Sequence, residues 1–162
     1  HSALERLPLD PLPADVAGWL AAHGSLPADE ARALADYARR EVLGDLASAA
    51  EVHREHPFRL RLPAGGVVVG LIDVLWRDAA GRWWVGDYKF AEADPGSAAR
   101  HEAQLAIYAL AASAALGLDE IGGRLWYVDR EARRDFRWSA ADLRGLEAEL
   151  DRAFTRLPGV TA

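Results

Sequence analysis

The stretch VVVGLIDVLWRDAAGRWWVGDYKF, residues 67–90, decides the fold. Its first ten residues are nearly all apolar and β-branched, the composition of a central strand covered on both faces. DAAGR, residues 78–82, is a turn, and RWWVGDYKF, residues 82–90, reads as the next strand. Just upstream, PFRLRLP at 57–63 alternates apolar and charged residues at period two, as a half-buried strand does. Three strands in series with short connections predict an antiparallel meander.

Outward from this centre the chain becomes helical. His1 to Arg6 reads as the end of a helix, halted by the prolines between Pro8 and Pro13. Two helical stretches follow, Asp15–His23 and Pro27–Leu46. In the second, Ala31, Leu34, Ala35, Ala38 and Val42 recur at helical spacing. Ala47–Glu55 then joins this region to the sheet. Beyond the meander, Ala98–Leu116 is a strong helix ending at Gly117. RLWYVDR (124–130) reads as a fourth strand and RDFRW (134–138) as a fifth, and Ser139 caps a last helix to about Arg156. The order implies an α/β fold with a mixed central sheet flanked by helices and an N-terminal helical segment. One domain spans 1–162: a helical part at 1–52, a sheet-bearing core at 53–138 and a C-terminal helix at 139–162.

Hydrophobic residues make up 51% and charged residues 27% of the chain, ordinary for a globular protein. No apolar run is long enough to cross a bilayer and no secretory leader opens the chain, so no membrane role is expected and a reducing cytoplasm is the expected location. The absence of cysteine excludes disulfides, thiolate zinc sites and iron–sulfur clusters. The absence of methionine and the start at His1 read as a piece of a larger protein. There is no Walker motif, so no ATPase activity is expected in this piece. The net charge is −6. Arg59 and Arg61 alternate along a predicted strand, and Arg130, Arg133, Arg134 and Arg137 cluster later. Taken alone, both groups read as solvated surface.

Asp87 and Lys89 stand two apart on a strand, so their side chains share a face. A lone Asp-x-Lys carries little weight, since surface ion pairs are common. Asp73 adds to it: a carboxylate inside an apolar strand is costly unless it is paired, hydrogen-bonded or bound to a cation. The hairpin places Asp73 across from the Asp87 region, and a divalent metal would neutralise both. Asp73 alone could be satisfied by backbone N–H groups. Gln104 and Tyr108, at i and i+4, share one face of the following helix; by themselves they would be a surface amide and a core aromatic.

Together, GLIDVLW, WWVGDYKF and QLAIYA, in this order, resemble the nuclease domain of the RecB and AddA helicase-nucleases, a branch of the PD-(D/E)XK nuclease superfamily. HPFRLRL resembles the strand before that family's Gly-x-x-Asp motif, and HSALERL its histidine-bearing helix. The resemblance runs from His1 to about Trp138. It implies a restriction-endonuclease-like core in which Asp73 and Asp87 bind metal and Lys89 completes the motif. The Tyr88 carbonyl and His1 are further implied ligands, Gln104 and Tyr108 place the substrate strand, and Glu55 matches the acidic residue before the Pro-Phe strand. Phe90 departs from the threonine usual after the lysine, which removes a hydroxyl near the substrate backbone. Without cysteines the chain resembles the AddA or RecB type rather than the cluster-bearing AddB type.

The implied activity is Mg²⁺- or Mn²⁺-dependent hydrolysis of DNA phosphodiesters. The implied setting is an exonuclease module acting on single strands in double-strand-break repair and recombination. The implied partners are a helicase domain of the same chain and a second helicase-nuclease subunit. All-oxygen ligation with at most one imidazole favours Mg²⁺ or Mn²⁺ over Zn²⁺. Delivery of the strand by a motor would explain the acidic charge, since the module would need little DNA affinity of its own. The rival expectations are a catalytically silent, nuclease-like binding or scaffolding domain and a stand-alone restriction-type endonuclease.

Overall fold

The computed structural model describes residues 2–90 and 96–157. Helices α1 (Ser2–Arg6), α2 (Val16–Gly24), α3 (Ala28–Tyr37) and α4 (Leu43–Leu46) precede strands β1 (Glu51–Arg61), β2 (Val67–Arg77) and β3 (Trp83–Lys89). Helix α5 (Ser97–Leu116), strands β4 (Glu120–Tyr127) and β5 (Ala132–Ser139) and helix α6 (Ala140–Thr155) follow. The strands form one mixed sheet in the order β1-β2-β3-β4-β5, with β3 and β4 parallel and the other pairs antiparallel. The crossover through α5 makes that parallel pair possible, because parallel neighbours cannot be joined by a hairpin. Helices α1 to α4 cover one face of the sheet and α5 and α6 the other. No helix among the described residues is long and apolar enough to cross a membrane.

Local chemistry explains most element ends. Asp15 caps α2 by accepting from the Gly18 amide. Gly117 ends α5 in the left-handed conformation. Ser139 and Asp142 form a reciprocal capping box that starts α6. The predicted helix from Pro27 to Leu46 is interrupted by a π-helical turn at Ala38–Val42, a change of pitch that apolar spacing does not reveal.

Three expectations need correction. The segment Ala47–Glu55, expected to join the helical region to the sheet, is already part of the sheet from Glu51, where β1 begins. Strand β4 begins at Glu120, ahead of the predicted start. Its Gly122 and Gly123 suggest a turn in sequence, but the rings of Trp84 and Trp138 lie where their Cβ atoms would be. And β2 is covered on both faces only in its second half. Val69 is 65% exposed and Leu71 53% exposed.

The first half of β2 is open because the sheet divides there. Pairing of β2 with β3 ends at Val74–Gly86, while pairing with β1 continues to Arg61–Val67. Residues 57–61 and 67–71 therefore leave the sheet as a two-stranded ribbon. The division coincides with Glu55, which has a left-handed backbone at φ 46° and sits between the pairs Arg54–Val74 and His56–Ile72. A regular strand would put Val52 and Phe58 on one face, and likewise Ile72 and Val74. Instead Val52 and Val74 pack with the N-terminal helices, and Phe58 and Ile72 pack with α5 and α6. The ribbon thus turns over at the level of Glu55 and Asp73.

Candidate active site

Asp73, Asp87 and Lys89 meet where β2 and β3 part. Extending the antiparallel register one step past Val74–Gly86 puts Asp73 opposite Asp87. Backbone pairing has stopped there, so side chains fill the gap. The Tyr88 amide donates to Asp73 Oδ2 at 3.3 Å. A residue's N–H and C=O project to the same edge of an extended strand, so the Tyr88 carbonyl is turned towards the same gap. The Tyr88 ring points to the other face, buried and stacked on Trp126 at 4.8 Å between centroids.

Asp87 is 1% exposed. Burial, and then the nearby Asp73 carboxylate, push its pKa up to about 7, while Lys89 pulls the other way. Lys89 Nζ lies 2.5 Å from Asp87 Oδ2 and donates to Gln104 Oε1 at 2.8 Å. Gln104 Nε2 in turn donates to the Tyr108 hydroxyl at 2.8 Å. A chain of contacts therefore runs from Asp87 through Lys89 and Gln104 to Tyr108. Burial, followed by the charges of Asp73 and Asp87, raises the Tyr108 pKa to about 12. The phenol keeps its proton, and since its oxygen accepts from Gln104, its O–H remains a donor.

The long axis of α5 sets these positions. Leu105, Ala109 and Ala112 of that helix are buried against the sheet, which brings Gln104 and Tyr108 over the end of β3. On the sheet, Gly86 is required for a different reason: its missing Cβ leaves room for the stacked rings of Trp126 and Trp76. Those rings fix the backbone immediately before Asp87.

Sequence reasoning gave no role to Glu5. Burial, and then the charge of Asp73 with Glu55 adding, raise its pKa, so Glu5 is the acid of α1 that borders the site. It sits between Leu4 and Leu7, both fully buried. An acid flanked by core leucines is a signal, but a weak one in so short a helix. Arg54 was missed as well. Its Nη1 donates at 2.6 Å to the carbonyls of both Glu5 and Leu7, pinning the end of α1 beside Asp73. Nothing in the alternation of β1 singles it out. Glu55 is exposed and lies level with Asp73 across the interrupted ladder, and His1 lies outside the described residues.

The predicted arginine cluster is not a free cationic patch. Arg133 faces Glu41, Arg134 pairs with Glu102 and Arg137 with Glu120. Arg124, buried near this cluster, holds Asp135 through two bonds and also meets Asp45, tying β4, β5 and α4 together.

Among the described residues no group of three or more His, Cys, Asp or Glu gathers closely enough to hold a metal by itself. The residues present still fit a divalent cation. Two carboxylates, one of them fully buried, and a backbone carbonyl converge on one gap, and hard oxygen donors suit Mg²⁺ or Mn²⁺.

Two acids and a lysine thus meet at the parting of two strands, under an α/β architecture. Residues 1–159 match the model of the PD-(D/E)XK nuclease superfamily. The chain belongs to that superfamily, whose members are nucleases that use divalent metals. No curated protein matches it. Among solved structures it is similar to one described as "Crystal structure of SSO0001". The two share 16% identity over 98% of this chain and 75% of the other, with a TM-score of 0.46.

Proposed function

We propose that this chain is a Mg²⁺- or Mn²⁺-dependent deoxyribonuclease with its reaction centre at Asp73, Asp87 and Lys89. The observation that supports this most is the placement of Asp87: fully buried, opposed to a second carboxylate and touching Lys89. Such an arrangement is costly for a fold unless a cation shares it. A divalent cation bound there supplies a water of lowered pKa and a Lewis acid for phosphoryl oxygens.

The side chains then have distinct tasks. Asp73, Asp87 and the Tyr88 carbonyl hold the cation, with His1 as a further proposed ligand. Lys89 donates one of its three N–H groups to Gln104 and lies against the Asp87 carboxylate as an ion pair. An N–H not held by Gln104 is available to the attacking water or to a phosphoryl oxygen as negative charge grows. Gln104 keeps Lys89 from swinging away, and Tyr108 offers its O–H to the substrate backbone. The Gln104–Tyr108 pair also favours the RecB/AddA type, an exonuclease module fed by a helicase in double-strand-break repair. A net charge of −6 suits a module to which DNA is delivered.

The test is cleavage of labelled single-stranded DNA in Mg²⁺, Mn²⁺ or EDTA, beside Asp87→Ala. Metal-dependent cleavage that the substitution abolishes is expected. Cleavage that persists in the variant contradicts the assignment, and none under any condition favours the silent-scaffold reading.

A further inference from the structure

We infer that the open face of the β1–β2 ribbon is the track along which a single-stranded polynucleotide runs to and from the site. This rests on the proposed nuclease reading and adds the surface that holds the strand. One face of the ribbon is committed to the fold, with Phe58, Leu60, Val68 and Ile72 packed with α5 and α6. Its tip is held by the Ala64 amide, which donates to Asp151 Oδ1 at 2.8 Å, and by Phe154 against Gly66. The ribbon is therefore a fixed platform. The alternate residues form the other face, where Arg59 sits opposite Val69, Arg61 opposite Val67 and Pro57 opposite Leu71.

Charge and continuity point to the occupant. Arg59 and Arg61 are exposed and have no ion-pair partner among the described residues, whereas Arg133, Arg134 and Arg137 are spent on carboxylates. In a chain of net charge −6, two uncommitted guanidiniums on the ribbon, opposite Val69 and Val67 on the strand that carries Asp73, are well placed for phosphates. They stand about 7 Å apart along the strand, a spacing that successive phosphates of an extended single strand can match. Val69, level with Arg59, and Leu71, between Arg59 and Asp73, are exposed and offer apolar contact to unpaired bases. A duplex covers its bases and would leave that surface unused. The platform also ends at the chemistry, since Leu71 is two residues from Asp73, where the ribbon turns over into the sheet. The cleft on the far side of Lys89, about 370 Å³ and lined by Tyr37, Phe90 and Val128, carries Glu30, Asp129 and Glu131, which repel phosphates.

The experiment measures binding of a labelled oligothymidylate in EDTA, by anisotropy across a salt series, for wild type, Arg59→Ala/Arg61→Ala and Val69→Thr/Leu71→Thr. All four positions are solvent-facing, and thermal melts verify that each variant folds. Losing two phosphate contacts lowers the slope of log affinity against log salt by about 1.4. Over a fourfold rise in salt the arginine variant then loses about sevenfold less affinity than wild type. The aliphatic variant is expected to bind several-fold more weakly with its slope unchanged, because apolar contacts release no counterions. An unchanged slope in the arginine variant overturns the track, as does equal competition by duplex or the absence of binding by wild type. A dimer that Leu71→Thr dissociates, with no effect on DNA, also overturns it by making the face a protein interface. Hydrolysis of bis(p-nitrophenyl) phosphate, too short to reach the ribbon, separates this inference from the nuclease reading. Metal-dependent hydrolysis with unaltered salt slopes sinks the track alone. Altered slopes without hydrolysis sink the catalytic reading alone.

Discussion

Replacing Asp87 by asparagine should make the metal-free protein more stable while removing its activity. The carboxylate is 1% exposed and faces Asp73, and its pKa rises from 3.8 to about 7. Below the ordinary value, folded and unfolded chains both carry the proton and there is no penalty. As pH climbs towards 7 the unfolded chain has released its proton while the folded chain still holds one, so stability falls with rising pH and stays lowered above 7. The full shift corresponds to about 4 kcal/mol. Asparagine removes this penalty but weakens the contact with Lys89, leaving an expected gain of about 1–3 kcal/mol at pH 8. Urea denaturation in EDTA at pH 8 and pH 4 is the assay. The variant should have the higher midpoint at pH 8 and nearly the wild-type midpoint at pH 4, and Mn²⁺ should close the gap at pH 8 by stabilising only the wild type. A variant less stable than wild type at pH 8 in EDTA would refute the reasoning, since Asp87 would then be a net stabilising ion-pair partner.

The same linkage predicts that Mn²⁺ affinity rises about tenfold per pH unit below pH 7 and levels off above it, because the cation displaces one proton; calorimetry in buffers of different ionisation heat checks this. Gly86→Ala should cost about 1–3 kcal/mol, since the new Cβ meets the Trp126 ring, itself backed by Trp76 at 5.6 Å between centroids. Thermal melting measures the cost, and cleavage should fall as the backbone before Asp87 shifts. Arg54→Ala should cost about 1–3 kcal/mol by leaving the Glu5 and Leu7 carbonyls unpaired. Hydrogen exchange should show α1 opening more readily, with partial recovery in Arg54→Lys.

The meander, the α5 crossover and the capped last helix were legible because each depends on local rules: period-two alternation, helical spacing and turn residues. The meeting of Asp73 with Asp87 and of Gln104 with Tyr108 was legible for the same reason, since strand register and the i, i+4 rule place them. Other features depend on distant partners. Gly122 and Gly123 resemble a turn until the rings of Trp84 and Trp138 lie on them. The reversal of faces at Glu55 shows only as a left-handed residue that carries a side chain. Val69 and Leu71 have core composition, yet the sheet divides before a neighbour can cover them. Glu5 reaches the site only through the packing of α1, and Arg54 through carbonyls nearly fifty positions away in sequence.

The most direct test of the central claim titrates Mn²⁺ into the wild type and into Asp73→Asn, recording bound metal by electron paramagnetic resonance and cleavage of a labelled single strand in the same samples. In the wild type cleavage should rise in step with bound Mn²⁺, and in the variant both should be lost together while the fold persists. Cleavage by the variant at the wild-type rate, or wild-type cleavage that continues in EDTA, would contradict it.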